Sequence, residues 1–515
     1  MKITRFLETT ITLFSILVFG ILLIANIRFD SYIFAGTNPI ISDGDIIVFL
    51  LSIILLIAVL FIFATDFLTK KTILILFIAI NSIALIGRFI VLSSFEIVPT
   101  ADMYRVVLAG AQIFLYGDYS STVAGGYVNM FSNQFGVLTL LEPFIRNFEF
   151  NFDAYYIVNI LLIQASILFL SGSFLLRNKL KESLFSTILL NLFLPNLFAI
   201  FIIYGDLFAL FALSAFIFIN IMKFKYKYIQ TIISFVLILM AQLARPTSII
   251  WFIALLIVFF IYKKWNDFLK LVIALSLSLL FVQSLPLVYE ARFAINIPET
   301  SLPFSTWVGI AFEKASVDKE SPGFYTDEYF NYHVNNQYNV EKTNQYILKD
   351  LNKNLNQLIL KNELFNFQTE KIRILWTDPD FETMNFILPM NYALTKNDFR
   401  ANNALRVGVA SEGSHPKNTL GELLVRGMFQ LRRFEKVMYL LMLLGAMIAS
   451  IVNLKSRDKT LLVLQLLGIG FFLFFQFMEI KPRYLLVYMN FLVLHFVYGV
   501  AIISEQISSK LKKNP

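Results

Sequence analysis

An all-α integral membrane protein is the fold class that this sequence predicts, on three observations. Apolar residues make up 57% of the 515 and the mean hydropathy is +0.70, which leaves little chain for a water-facing surface. Charged residues are only 15%, and the lysines and arginines among them fall in short clusters between apolar runs. Runs long enough to cross a hydrocarbon core of about 30 Å recur along most of the chain, so a soluble multi-domain reading fails. The count that keeps every basic cluster on one side is about twelve transmembrane helices, with both termini cytoplasmic and a large, partly helical external insert.

Met1-Lys-Ile-Thr-Arg5 and the apolar run to about Ile27 resemble a signal peptide without a small-residue cleavage site, and predict an uncleaved first helix. Helix two covers about 46–64, an inside turn follows at Lys70 and Lys71, and helix three covers about 72–92. Residues about 93–151 then form a first external loop, whose glycines and amides between Ala124 and Gly136 predict irregular structure. Helix four, about 154–176, ends at Arg177, Lys179 and Lys181. Helices five and six share the run 184–222 and turn outside near Tyr204-Gly-Asp206. Helix seven climbs from Lys223, Lys225 and Lys227 to an external Arg245-Pro246, helix eight descends to Lys263 and Lys264, and helix nine rises to about Val288. Residues 1–288 thus make an N-terminal transmembrane region.

From 289 to 434 the composition shifts to Asn, Glu, Lys, Thr and Tyr, with helical periodicity around Tyr346, Leu351 and Leu355 and a turn at Ser321-Pro-Gly323. This is the extracytoplasmic insert. Residues 435–515 return to the membrane: helix ten at about 437–452, helix eleven ending outside at Glu479-Ile-Lys-Pro-Arg-Tyr484, and helix twelve leading to a short cytoplasmic tail with Lys510, Lys512 and Lys513. The localisation expected is the plasma membrane, multi-pass. No internal repeat is visible, which weighs against the inverted-repeat transporter plans.

Composition excludes several chemistries. Cysteine is absent, so there is no disulfide, thiolate metal site or cysteine nucleophile, and none of His333, His415 and His495 has a partner at metal-ligand spacing. The net charge of +8 lies in the topogenic clusters, which orient spans and do not require nucleic acid. Neither a GxGxxG turn nor a phosphate-binding P-loop is present, so nothing points to a soluble nucleotide donor.

The residues that stand out are charges where lipid ends. Asp102 reads as the cap of a short amphipathic helix with Arg105 one turn on, and Gly117-Asp118 follows. A plain helix cap at Asp102 and a plain turn residue at Asp118 are the bland alternatives. Arg105, Arg245, Lys481 and Arg483 are the external cations, of which Arg245 and Arg483 interrupt apolar runs near their outer ends, where topology disfavours cations, and either serve a specific partner or snorkel to headgroups.

Asp102, Arg105, Gly117 and Asp118 share their spacing with the first external loop of bacterial GT-C membrane glycosyltransferases of the aminoarabinose-transferase and protein O-mannosyltransferase group. Arg483-Tyr484 resembles the Arg-Tyr near that family's last spans. Pro303-Phe-Ser-Thr-Trp307 and Pro322-Gly-Phe-Tyr325 are similar to its Gram-positive many-span members. The resemblance implies a GT-C type arrangement, a polyprenyl-phosphate sugar as donor, a cell-envelope acceptor (glycan, lipid or protein), and membrane lipid around both. It makes Asp102 the catalytic base, with Arg105, Asp118, Arg245, Glu479, Lys481, Arg483 and Tyr484 binding substrate. Met103 stands where the pattern has Glu, so a two-carboxylate mechanism is in doubt, and Asp118, Glu142 and Glu479 are the other carboxylates available. No cofactor is assigned, and a divalent metal is left open. The rivals are a transporter or flippase of lipid-linked saccharides and a family member without catalysis.

The lysine clusters make the orientation testable. In this cysteine-free chain, a single cysteine replacing Asn335 is expected to label from outside intact cells and one replacing Lys264 is not. Equal labelling of the two overturns the span count.

Overall fold

A computed structural model describes residues 2–32, 40–65, 68–97, 99, 101–313, 322–324, 326–387 and 415–511. Ser321, Tyr325, Lys512 and Lys513 fall outside the described residues. The chain is nearly all helical. Two short antiparallel pairs, Phe29–Tyr32 with Ile40–Asp43 and Phe95–Glu96 with His415–Pro416, are too brief for the sequence to announce.

Among the described residues, nine helices are long and apolar enough to cross a membrane: Lys2–Arg28, Ile46–Phe63, Lys70–Ser93, Phe152–Leu175, Lys227–Ala244, Trp265–Phe293, Met428–Ser456, Lys459–Phe477 and Pro482–Glu505. The run predicted as helices five and six departs from a simple hairpin. Leu180–Leu192 stops, and the chain bends by 63° before continuing over Pro195–Phe201. The cause is local: Pro195 has no N–H to extend the ladder, and the N–H of Leu194 is taken instead by the Glu435 carboxylate at 3.0 Å. Gly205–Ile221 and Ile249–Ile261 follow as apolar helices of 17 and 13 residues. At 1.5 Å per residue they reach about 26 and 20 Å, short of a full core.

Helices also overrun the predicted limits of the insert. Trp265–Phe293 passes residue 288, and Met428–Ser456 begins well before 437, because charged residues at both ends are good helix formers and find partners. Between these two long helices lies 294–427, within the 289–434 read as the insert. It is partly helical as its periodicity implies, with helices Ser305–Phe312, Glu328–Asn335, Val340–Leu360 and Leu364–Trp376 burying Ile310, Tyr329, Ile347 and Leu358.

Two polar devices fix this segment on the bundle. Lys371, 1% exposed, donates to the carbonyls of Ala311 (3.1 Å), Gln476 (3.0 Å) and Met478 (3.3 Å), capping the end of Lys459–Phe477. Burial pushes its amine down to about 7. The second device is Arg432, which pairs with buried Asp378 at 3.2 Å and with buried Asp380, and donates to the Ser31 carbonyl at 2.7 Å. One turn on, Lys436 donates to Asn26 Oδ1 (2.9 Å), the Phe29 carbonyl (3.0 Å) and the Thr377 carbonyl (2.9 Å).

Removing the guanidinium strands two buried carboxylates, which costs about 3–5 kcal/mol. Arg432→Met is therefore expected to lower the melting temperature of the detergent-purified protein sharply, and Arg432→Met with Asp378→Asn and Asp380→Asn to recover much of the loss. An unchanged melting temperature in the single variant refutes the clamp.

Candidate functional site

The first external loop carries a helix over Ala101–Ala111. Asp102 sits inside its first turn rather than at the cap, since Ala101 is already helical. The side chain is half-buried, and Tyr127 donates to its Oδ1 at 3.4 Å. Met103, one residue and about 100° further round the helix, is 2% exposed in the core. The position where the family pattern has Glu therefore faces apolar packing here, and a carboxylate placed there would be buried. Arg105 is exposed, and among the described residues no ion pair within 4.0 Å joins it to Asp102. The helix closes in a π-helical turn, Gln112–Tyr116, ended by left-handed Gly117 (φ 64°). Asp118 is exposed and accepts from the Ser120 N–H at 2.9 Å, which holds its carboxyl below the usual range. It is an Asx turn in this loop.

Arg245 and Asp206 meet at a close backbone crossing. A Cβ on Gly205 would collide with the Ala244 carbonyl, so only glycine lets Tyr204-Gly-Asp206 lie against the Arg245-Pro246 corner. There Arg245 clasps Asp206 with both arms, Nε to Oδ1 at 2.8 Å and Nη2 to Oδ2 at 2.5 Å, with Asp206 1% exposed. Its guanidinium carbon lies 4.6 Å from the centre of the Tyr204 ring and 5.5 Å from that of Tyr484. Arg483 approaches the same Tyr204 ring at 5.6 Å. The Tyr204 hydroxyl receives the Gln134 amide, and burial raises its pKa so that it stays protonated.

Arg483 differs from Arg245. It is 9% exposed, its buried Nε has no hydrogen-bond partner, and among the described residues no carboxylate lies within 4.0 Å of it. Glu479, 5% exposed, lies 3.7 Å from Lys481 Nζ. Burial raises the Glu479 carboxyl, with Asp102 adding to the rise, whereas Tyr484 and Glu479 keep the Lys481 amine charged against its own burial. Backbone bonds from Glu479 N to the Trp307 carbonyl (3.1 Å) and from Ile480 N to the Gly323 carbonyl (2.9 Å) tie this loop to the two insert motifs singled out in the sequence.

One further carboxylate escapes the sequence reading. Glu382 ends Trp376-Thr-Asp-Pro-Asp-Phe-Glu382, a stretch held by the Arg432 clamp, and the chain reaches it through positive φ at Phe381 (51°) and Glu382 (60°). Burial pushes its carboxyl up to about 7, against the pull of Arg483 and Lys481, and its Oε1 is unpartnered. The crowd of acids in that stretch was the only sequence signal. Glu142, the other candidate carboxylate, is engaged elsewhere, bound by Arg146 (2.7 Å) and by Arg292 (2.6 Å). Although burial raises it, those two cations outweigh burial and hold it low.

The structure therefore brings together Asp102, Arg245, Glu479, Lys481, Arg483 and Tyr484, and adds Tyr127, Tyr204, Asp206 and Glu382. Arg105 and Asp118 lie in the exposed part of the loop. Such an arrangement can hold an anion on Arg483 with a carboxylate nearby to accept a proton. Among the described residues no group of three or more His, Asp or Glu could hold a metal ion. No family model matches the sequence, and neither a curated protein nor a solved structure matches the chain.

The raised Glu382 carboxyl has a signed consequence. Its folded-state pKa lies above the ordinary one, so its contribution to stability is full below the ordinary carboxylate range and is lost as pH rises through about 7. Ionised Glu382 also competes with an anion for Arg483. Affinity for a lipid phosphodiester, whose own charge is constant here, is expected to fall roughly tenfold as pH rises through that range. Glu382→Gln should make binding independent of pH, and an unaltered pH dependence in that variant removes Glu382 from the site.

Proposed function

We propose that the chain is a glycosyltransferase of the GT-C type, taking a sugar from a polyprenyl phosphate and passing it to an acceptor on the extracytoplasmic face. The observation that carries this reading is Arg483, a buried arginine whose Nε has no hydrogen-bond partner among the described residues, in the field of the half-buried Asp102 and beside a clasped Arg245. A buried N–H left without an acceptor is costly unless a ligand completes it. In this reading the nine long helices, the bent Leu180–Phe201 pair and the two short apolar helices make twelve membrane segments, with the cluster at the outer face.

The acceptor hydroxyl attacks the anomeric carbon, and the bond from that carbon to the phosphate oxygen breaks. The electron pair leaves with the phosphate, whose charge Arg483 and Lys481 offset. Asp102 takes the acceptor proton, and Tyr127 orients its carboxylate through the 3.4 Å contact. Inversion at the sugar follows from the family resemblance. Arg245 acts through Tyr204 and Tyr484, because its own charge is engaged by Asp206.

One observation favours a second reading. A cavity of about 680 Å³ opens at the lysine-rich end of the bundle, and Trp251 lines both it and a narrow slot beside Arg245 and Tyr484. A transporter of lipid-linked saccharides would want two such neighbouring spaces.

The deciding experiment is transfer from labelled polyprenyl-phosphate sugars by the purified protein in nanodiscs. Asp102→Asn is expected to lower turnover by roughly 10²–10⁴ with donor binding retained. Arg483→Gln should weaken donor binding roughly 10- to 100-fold, as a charge-assisted contact is worth about 1.5–3 kcal/mol. Arg245→Gln should instead reduce stability, by stranding Asp206. Full transfer by the Asp102→Asn protein refutes the base, and sugar-lipid translocation without transfer in the wild type moves the chain to the second reading.

A further inference from the structure

The proposed chemistry does not use the cavity at the lysine-rich end. Its basic rim includes Lys227, at the start of helix Lys227–Ala244, and its wall reaches up that helix to Ile238, six residues or about 9 Å short of Ala244. The volume, about 680 Å³, lies within the range of about 300–1,000 Å³ typical of small-molecule sites. Its inner wall is apolar, with Phe216, Leu255, Phe259, Leu464 and Leu494, and Trp251 lines it with a buried indole N–H that has no partner among the described residues.

Its rim carries five cations, Arg177, Lys227, Lys264, Lys270 and Lys459, against one carboxylate, Asp267. Among the described residues none of the five lies within 4.0 Å of a carboxylate. Arg177 donates to the Tyr498 hydroxyl at 2.6 Å, and Lys459 stands 4.1 Å from the centre of the Tyr262 ring. Nearby acids are committed elsewhere, Glu8 to Arg457 at 3.7 Å and Glu182 to Lys179 at 3.5 Å. Basic residues at a membrane face often do no more than orient the chain. Here they ring an apolar cavity, and that combination selects a ligand with an anionic head and a hydrocarbon body.

We propose that this cavity binds a phosphate-bearing lipid, with the phosphate among Lys227, Lys264, Lys270 and Lys459 and a chain lying against Trp251 and its apolar neighbours. Both an acidic phospholipid and a polyprenyl phosphate carry that chemistry. The charge attracts any anion to the face, and the walls discriminate, because each methylene withdrawn from water adds to affinity.

The test is native mass spectrometry of the full-length protein in mild detergent, with phosphatidylglycerol, phosphatidylcholine, a polyprenyl phosphate and inorganic phosphate added in separate arms. Retention of phosphatidylglycerol or of the polyprenyl phosphate, at least tenfold over phosphatidylcholine, is the expected result, and the arm that retains most identifies the source. Lys227→Gln with Lys264→Gln and Lys270→Gln, all exposed positions, should lower occupancy at least tenfold. Lys223→Gln with Lys225→Gln, basic residues of the same face outside the cavity lining, should leave occupancy unchanged. Ala274→Trp, which fills the cavity at constant charge, should expel the lipid. Equal loss in the Lys223 and Lys225 variant, binding of inorganic phosphate alone, or full retention in Ala274→Trp overturns the site. No sugar transfer enters the readout, so failure of the glycosyltransferase reading leaves this result intact.

Discussion

The pairing of Arg432 with Asp378 and Asp380 is the constraint on which the arrangement of the candidate site depends. Both carboxylates are at most 1% exposed, and charges so buried persist only when paired and hydrogen-bonded. The remaining oxygens are satisfied locally, by the N–H of Glu382 on Asp378 and that of Met384 on Asp380, each at 3.1 Å. Arg432 and Lys436 lie one turn apart on Met428–Ser456, so one helix face grips both this stretch and the end of Lys2–Arg28, where Asn26 donates to the Trp376 carbonyl at 2.8 Å. Three segments distant in sequence are locked by one polar knot. Its consequence is directional: the chain leaves the knot through two left-handed residues and delivers Glu382 toward Arg483 and Lys481.

A second constraint brings the cations in. The Gly205 crossing seats Asp206 under Arg245, and the bidentate pair then holds Arg245 against Tyr204 and Tyr484. With its charge offset, Arg245 shapes the ring cage more than it attracts an anion. Arg483 enters the same cage from the turn Pro482–Leu485, with no carboxylate within 4.0 Å of it among the described residues. The difference between the two arginines is one of pairing: a carboxylate takes both arms of Arg245 and none does so at Arg483 among the described residues.

Hydropathy exposed the spans because lipid leaves the backbone no choice but to satisfy itself within helices. The residues 102, 245, 479, 481 and 483 stood out for a similar reason, as charges at the ends of apolar runs. What stayed hidden depends on direction and on distance along the chain. Adjacent positions on a helix point about 100° apart, so Asp102 and Met103 face different surroundings, which a motif pattern read as a pair does not show. The clasp between Arg245 and Asp206 joins residues 39 apart, and no spacing rule covers it. Glu382 lay in a polar insert without hydropathy contrast. The charges that pull on it most, Arg483 and Lys481, come from a segment about a hundred residues away. The break at Leu194 was half legible: Pro195 signals a stop, but the Glu435 carboxylate that makes the stop tolerable comes from 241 residues away.

Within the spanning helices the same rule of satisfied polarity operates without counter-charges. Arg88, 1% exposed, donates to Gln164 Oε1 at 2.6 Å and Asn191 Oδ1 at 3.0 Å, and Gln164 donates in turn to Asn81 at 2.8 Å. Neutral amides thus solvate a guanidinium where water is excluded, joining Lys70–Ser93, Phe152–Leu175 and Leu180–Leu192. Each pairwise bond is modest, but leaving any member unsatisfied in that setting would cost far more than the bond returns. Arg88 and Arg483 share a buried Nε without a hydrogen-bond partner among the described residues, and they differ in the rest of the guanidinium, which two amides engage at Arg88 and the Tyr204 ring meets at Arg483.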